Sequence, residues 1–448
     1  MNLIEETNSW LSSTPMELKD LTINRAHFVG IGGIGMSALA QYMLDHGVLV
    51  TGSDREASPV TELLEAKGIG VFLTQETANV PDEIDVLIYS DAVPEENAER
   101  VVARDRLTPQ MSYFEALGKV SEGKRTVAIA GTHGKTTTTG MIARILKDAG
   151  ESPTAIVGSL VKDFGSNYLA GTSDLFVVEA CEYKRHFLNV APELLVITNL
   201  EFDHTDYFRD LVDVQDAFRT LIERVPEHGA IVTDATHPNI SSLLLNTKAR
   251  VIDYTLETVY DIRLPGEFNV MNARAAAAAA RVVLPTIPAE TIKSSLADFH
   301  GTWRRFEYKG TSKTGAPVYD DYAHHPTAII GTLAELRART KGKVFVAFHP
   351  HLFSRTRDLL EAFGAAFKDA DYVLIAPIYA AREIDDGTMS SEILAERIIS
   401  NGTQAIALPS FDAIEEALGV AGPDDVIMTM GAGDIYKVAD ELVRKGKE

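Results

Sequence analysis

Apolar runs of four to six residues alternate with helix-period segments almost from end to end of the chain. Strands buried in a parallel sheet read as near-continuous apolar runs, and the crossover helices between them supply amphipathic stretches. In the first third this pattern predicts strands at Ala26–Ile31, Leu49–Ser53 and Val86–Ser90, with a helix over Met36–Asp45 closed by Gly47. A second strand, loop and helix unit opens at Thr126, with further strands at Leu175–Glu179, Leu195–Asn199 and Ala230–Thr233 and an alanine-rich helix from Asn272. A third opens at Pro317–Asp321 and continues through Lys343–Phe348, Tyr372–Ile375 and Val426–Met430. The expectation is an α/β protein with three domains in series, over residues 1–120, 121–301 and 302–448. At roughly 150 residues per domain, the length of 448 residues agrees.

Composition narrows the class of partner. The chain carries 64 acidic against 42 basic side chains, a formal charge of −22, with no long basic run. Nucleic acid and anionic membrane both need a continuous positive field, so neither is expected as a partner, and a phosphate-bearing ligand must be held locally. A single cysteine, Cys181, forms neither an internal disulfide nor a cysteine metal cage, which fits a reducing cytoplasm. The opening residues MNLIEETNSWLSSTPMELKD have no export pattern, and the apolar stretch Ala275–Leu284 is far short of a membrane span. A cytoplasmic location is expected.

Two glycine-rich loops carry the first chemistry. Gly30, Gly32 and Gly35 form G-x-G-x-x-G between a strand and a helix, with Asp54 at the end of the next strand. Glycines there let the backbone approach a diphosphate that the helix N-terminus stabilises. Such a Rossmann-like loop takes NAD, FAD or a UDP-sugar alike. In the second loop, GTHGKTTTT, Lys135 and Thr136 form the GK[ST] end of a shortened P-loop. Backbone amides of Gly131 to Lys135 should cradle phosphates, Lys135 should neutralise transferring charge, and the Thr136 hydroxyl should ligate Mg²⁺. Four consecutive threonines are poor helix material, so their hydroxyls are expected to be used. Glu179 and His204 follow neighbouring strands, where a carboxylate suits one Mg²⁺ and an imidazole a second metal ion. In the third domain Asp320, Asp321, His324 and His325 crowd one strand end and His349, His351, Arg355 and Arg357 the next, implying an anion site. Zinc on His349 and His351 is the weaker alternative, because no accompanying ligand spacing supports it.

In this order and spacing the motifs resemble the Mur ligase family of cell-wall synthesis: GIGGIGMSALA, GTHGKTTTT, Glu179 with ITNLEFDH, FNVMNARAA, GTWRRFE, DDYAHHPTAI and FHPHLFSRTRDL. The resemblance runs over essentially the whole chain. It implies a Rossmann-like UDP-sugar domain, a central P-loop ATPase-type domain and a Rossmann-like domain carrying the amino acid. The implied reaction joins L-alanine to UDP-N-acetylmuramate through an acyl phosphate, using ATP and two Mg²⁺ ions. By the same resemblance Gly131, Thr132, His133, Gly134, Lys135, Thr136 and Thr137 hold the triphosphate, and Thr136, Glu179 and His204 the metals. Asn269, Arg305 and Asp321 match adenosine contacts, and His324 and Arg355 the amino-acid site. Gly33, Ile34, Gly35, Met36, Ser37, Asp54 and Ser90 match the UDP site. Lys135, Glu179, His204, His324 and Arg355 form the expected catalytic set, with His324, at a near-neutral pKa, as candidate base.

Three departures from the family pattern stand out. The acidic run after the strand is EACEYK, placing Cys181, Tyr183 and Lys184 where Asp, Ser and Asp are usual; Phe268 replaces a histidine; and Leu352 replaces an arginine that Arg355 or Arg357 would have to stand in for. The competing readings are a ligase attaching a recycled murein tripeptide, an NAD-dependent oxidoreductase and a non-catalytic nucleotide-binding regulator. The oxidoreductase leaves the P-loop without a task.

Overall fold

The computed structural model describes residues 16–18 and 21–447, so most of the opening segment read above for an export signal lies outside the described residues. Three parallel-rich sheets follow one another along the chain. The first has five parallel strands in the order Gly70–Phe72, Leu49–Ser53, Arg25–Val29, Val86–Tyr89, Gln110–Ser112. Its helix Ile34–Asp45 starts directly after the glycine loop, two residues earlier than the periodicity indicates.

The central sheet has seven strands, with Arg125–Ala130 in the middle between Leu175–Glu179 and Leu194–Ile197. All its pairings are parallel except one edge hairpin, Thr154–Val161 with Ser166–Leu169, which the apolar pattern did not reveal. Parallel register brings the carboxyl ends of the three middle strands to one rim. There the chain turns through Gly131, at φ +129°, and Gly134, at φ +82°, before helix Lys135–Asp148 begins. A Cβ on Gly131 would sit 2.2 Å from the Thr198 hydroxyl, and one on Gly134 2.2 Å from the Asn272 side-chain oxygen. Only glycine combines this backbone with this packing. The alanine-rich helix Glu267–Val283 lies against Lys135–Asp148, and Ala275 to Ala280 are all buried, so small side chains let the two axes approach closely.

The threonine run is buried, and its hydroxyls have mixed uses. Thr136 meets Glu179 at 3.2 Å, Thr139 bonds back to the Lys135 carbonyl at 2.8 Å, and the Thr138 hydroxyl has no partner among the described residues. Packing therefore accounts for part of what had suggested four functional hydroxyls.

The third sheet has six strands, Glu307–Thr311, Pro317–Asp321, Val426–Met430, Val344–Phe348, Tyr372–Ile375 and Gln404–Ala407, with only the first antiparallel. Its strand ends carry Asp321, Gly431 and His349 side by side. Among the described residues no helix is long and apolar enough to cross a membrane.

Candidate functional site

A cavity of about 700 Å³ opens where the three domains meet. The first domain contributes Gly32 to Met36 and Ser90, the central domain Thr132 to Thr136, Glu179, Glu182 and His204, and the third Arg305, His324, Arg355 and Arg382. Residues from all three glycine- and charge-rich segments of the sequence thus face one space.

On the central side, Lys135 is the focus. Its Nζ donates to the Thr132 carbonyl at 3.3 Å and to the Glu182 carboxylate at 3.0 Å. Burial lowers the lysine pKa, but Glu182 together with Cys181 and Glu179 outweighs this and the net displacement is upward. Glu182 in turn is held below the ordinary carboxylate range despite burial, by Lys135 and by His204, whose Nε2 lies 3.5 Å away. Glu182 was visible in EACEYK but was not assigned to the site; its position three residues after Glu179 was the available signal.

Glu179 accepts from the Thr136 hydroxyl at 3.2 Å and from the Gly158 amide at 2.9 Å. The missed hairpin therefore aims the carboxylate. His204 sits at φ +54°, a left-handed conformation rare for histidine, and its Nδ1 is buried without a hydrogen-bond partner among the described residues. The Thr136 hydroxyl and Glu179 carboxylate fit Mg²⁺ beside phosphate oxygens, since hard cations take oxygen ligands and leave positions for substrate. The orphaned His204 nitrogen is a weaker ligand lining the same cavity.

Arg305 reaches across from the third domain to the Thr136 hydroxyl at 3.3 Å and lies near the Tyr322 ring, its guanidinium carbon 5.0 Å from the centroid. Asn269 donates to the Pro265 carbonyl at 2.6 Å and accepts from Asn272, and so secures the helix end that presses on Gly134. Thr137 is buried and does not line the cavity.

Asp321 also lies behind the cavity wall. Its carboxylate accepts from the Phe306 amide at 2.6 Å and the Ala323 amide at 2.7 Å, and burial pushes its pKa up to about 6 in spite of Arg305. A pKa raised on folding means that the native state holds the proton more tightly. That contribution to stability is complete below the ordinary value of 3.8 and is lost as pH rises through 6. The stability of the wild type relative to Asp321→Asn is therefore expected to fall by up to about 3 kcal/mol between pH 4 and pH 7, measured by urea unfolding. A flat difference would mean that folding does not shift the Asp321 pKa.

In the third domain Arg355 is fully buried. Its Nε donates to Asp203 of the central domain at 2.9 Å and its Nη1 meets His351 Nδ1 at 2.9 Å. Arg355 holds Asp203 well below its usual range against the effect of burial. The expected anion clamp is thus already an interdomain ion pair. Arg357 is partly exposed and pairs with Asp358 at 3.0 Å, outside the cavity lining. Leu352 is buried at φ +71° and does not line the cavity. The exposed cation at the rim is Arg382, which donates to Asp206 at 2.8 Å and lies over the Tyr183 ring.

His324 departs from the expected near-neutral base. Burial and the adjacent Arg355 push its pKa well below the ordinary 6.5. Its Nδ1 lies 3.0 Å from the Tyr322 carbonyl, which fixes the proton on Nδ1 and leaves Nε2 as a lone-pair acceptor of weak basicity. His349 and His351 are lowered in the same way, to about 4 and about 3. The two do not belong to any metal-competent cluster among the described residues, and the zinc alternative has no geometric support.

In the first domain Gly33, Ile34, Gly35, Met36 and Ser90 line the cavity. Asp54 accepts from the Gly32 amide at 2.8 Å and stiffens the loop from behind. Ser37 is buried against the central domain, where its hydroxyl accepts from Asn167 at 2.8 Å and donates to the Ile34 carbonyl.

Comparison with known proteins matches three consecutive family models. They are the Mur ligase family catalytic domain over residues 25–125, the Mur ligase middle domain over 129–263, and the Mur ligase glutamate ligase domain over 304–433. The chain belongs to the Mur ligase family. Among Mur ligases, the UDP-N-acetylmuramate–L-alanine ligase of Acetivibrio thermocellus is 39% identical over 450 residues, covering 93% of this chain and 95% of that protein. The enzyme of the same name from Clostridium kluyveri is 37% identical over 446 residues, covering 93% and 97%. Of solved Mur ligase structures, the UDP-N-acetylmuramate-alanine ligase of Thermotoga maritima superposes with a TM-score of 0.78 at 28% identity, covering 94% of this chain and 99% of that one. A murein peptide ligase from Psychrobacter arcticus shares the fold, with a TM-score of 0.75 at 24% identity over 95% and 99% of the two chains.

Proposed function

We propose that this Mur ligase joins L-alanine to UDP-N-acetylmuramate in the cytoplasm, with cleavage of ATP to ADP and phosphate, as a step of peptidoglycan precursor synthesis. The observation that carries the reading is the single three-domain cavity, with a glycine loop, a phosphate loop and a histidine–arginine wall facing each other. Full-length likeness to ligases of that name supports it.

A free carboxylate is a poor acyl donor, so the lactyl carboxylate of the nucleotide sugar first attacks the γ-phosphorus and ADP leaves. The neutral amine of L-alanine then attacks the acyl phosphate carbonyl, and the tetrahedral intermediate expels phosphate, which carries off the amine proton as the amide forms. The chain's part is to position and neutralise. Gly33 to Met36 and Ser90 receive the UDP-sugar, and the loop from Gly131 to Lys135 with Thr136 receives the triphosphate. Lys135 moves from Glu182 onto the transferring phosphoryl group, placing a preorganised positive charge where negative charge develops. Thr136 and Glu179 would hold one Mg²⁺ and His204 the second. These ions would screen the phosphate oxygens from the incoming carboxylate.

Arg305 lies close enough to Thr136 to contact the nucleotide, while Asn269 and Asp321 act from behind by holding the loops in place. His324 presents Nε2 as an acceptor to the incoming amine and so aims its lone pair. Its lowered basicity makes it an orienting group rather than a strong proton acceptor. Arg382, at the cavity rim with Asp206 as its partner, is the cation for the amino-acid carboxylate, since it is exposed whereas Arg355 is buried against Asp203.

Phosphate release with mass detection of the product tests the reading. With UDP-N-acetylmuramate, ATP and Mg²⁺, selective turnover with L-alanine over glycine, L-serine and a murein tripeptide is expected. Discrimination against glycine should be only about 10- to 200-fold, because a single methyl group carries it. Turnover with the tripeptide alone would assign the protein to peptide recycling instead.

A further inference from the structure

One cluster of side chains with no assigned step in the ligation joins the phosphate loop, whose backbone receives the triphosphate, to the third domain. It comprises His133 in the loop, Glu201 after strand Leu194–Ile197, and His325 at the start of helix Pro326–Arg339. One donor atom of each lies within 4.8 Å of the other two. His133 Nε2 is 3.5 Å and His325 Nδ1 3.7 Å from the same Glu201 oxygen. Ligands on a tetrahedral ion with bonds of about 2.0–2.1 Å sit roughly 3.4 Å apart, so two of the three separations are nearly those of a formed site.

The hydrogen bonds around the cluster also point to a metal. His133 Nε2 is buried and, apart from its 3.5 Å approach to Glu201, has no hydrogen-bond partner among the described residues. His325 Nε2 lies 3.3 Å from the Phe202 carbonyl, to which it can donate, while Nδ1 receives only a long 3.4 Å contact from the Thr327 amide. Donation from one ring nitrogen to a carbonyl is the arrangement that fixes a metal-binding tautomer and turns the other lone pair toward the ion. The Thr327 hydroxyl donates to Glu201 at 2.7 Å, as second-sphere partners do for ligating carboxylates.

Two imidazoles and one carboxylate favour zinc, cobalt or nickel over magnesium, which prefers oxygen. We propose that His133, Glu201 and His325 form a transition-metal site of the zinc class, distinct from the Thr136–Glu179–His204 set, that staples the phosphate loop to the third domain. A water or substrate oxygen completes the fourth position. Occupancy ties Gly131–Lys135 to helix Pro326–Arg339 and resists their separation.

Titration of the full-length protein with Co²⁺ in excess Mg²⁺ tests this, because Mg²⁺ fills the oxygen-rich sites at the phosphate loop and competes only weakly for a site with two imidazoles. One equivalent giving the intense visible absorption of tetrahedral cobalt is expected, together with a rise in melting temperature on adding Zn²⁺. Glu201→Gln and His325→Ala should each weaken binding by more than about 100-fold, since even loss of a supporting partner costs 10- to 100-fold. His204→Ala should leave it unchanged. Metal-free melting of each variant reports folding, with His325→Gln as the replacement if His325→Ala does not fold. The proposal is overturned if wild type gives no tetrahedral signal, if the signal survives in Glu201→Gln and the folded His325 variant, or if His204→Ala alone removes it.

Discussion

Lys135→Ala is expected to reduce product formation by about 10³-fold or more, with the loss in kcat rather than in the affinity for the nucleotide sugar. The ammonium is the only cation of the phosphate loop, and Gly131, Thr132 and Glu182 hold it within reach of the transferring group. Its upward pKa displacement keeps it charged throughout the working pH range. Arginine at 135 should not restore the rate, because a planar fork cannot occupy a pocket shaped for a compact ammonium. Phosphate release and product mass under saturating substrates decide the matter; near-normal turnover by the alanine variant would falsify the loop assignment.

The largest stability effect is expected one residue away from a functional arginine. Arg304 donates to Asp320 at 2.8 Å, to the Gly433 carbonyl at 2.8 Å and to the Gly431 carbonyl at 2.6 Å, with both charged side chains 5% exposed or less. Burial already raises the Asp320 pKa in spite of Arg304. Arg304→Met strands that carboxylate and two carbonyls and should cost about 3–5 kcal/mol in urea unfolding. Arg305→Met, which removes one hydrogen bond to a hydroxyl and a ring contact with Tyr322 at the cavity, should cost less than about 1 kcal/mol yet impair turnover. Equal destabilisation by the two variants would show that both arginines are structural.

The pair Arg304–Arg305 shows where sequence reading stops. The motif GTWRRFE marks both residues, but only the left-handed backbone at Arg304, φ +60°, and at Phe306, φ +47°, sends one side chain into the core and the other across the cavity. The sheets themselves were legible because fully buried parallel strands are continuous apolar runs that need no partner to be recognised. The edge hairpin was not, since Thr154–Val161 is interrupted by Gly158 and Ser159 and its mate, SNYL, is half polar. Both phosphate-type loops could be read because their chemistry is contiguous in the chain. The Arg355 side chain was read as a free clamp because its partner, Asp203, is 152 residues away. No local pattern carries a pairing of that kind, and the same holds for Arg382 with Asp206. Nor did a histidine's ordinary titration range survive at His324, where burial and a neighbouring guanidinium decide it.

The apolar interior is divided differently from the domains. One continuous cluster runs from Met16 through the helix Ile34–Asp45 and the strand Arg25–Val29 to Phe176, Leu195, Phe218 and Ala249, uniting the first domain with one face of the central sheet. Gln41 and Asn167 add buried hydrogen bonds to that seam, at 2.9 Å to each other. The third domain keeps its own apolar clusters, from Phe306 to Met430 and from Ala316 to Val443, and is tied to the central domain by charged and polar pairs. The UDP-sugar and phosphate loops therefore share one apolar body, while the third domain, bringing His324 and Arg382, meets it through polar pairs. Small-angle scattering is expected to show that domain closing on the cavity when ATP and nucleotide sugar bind together.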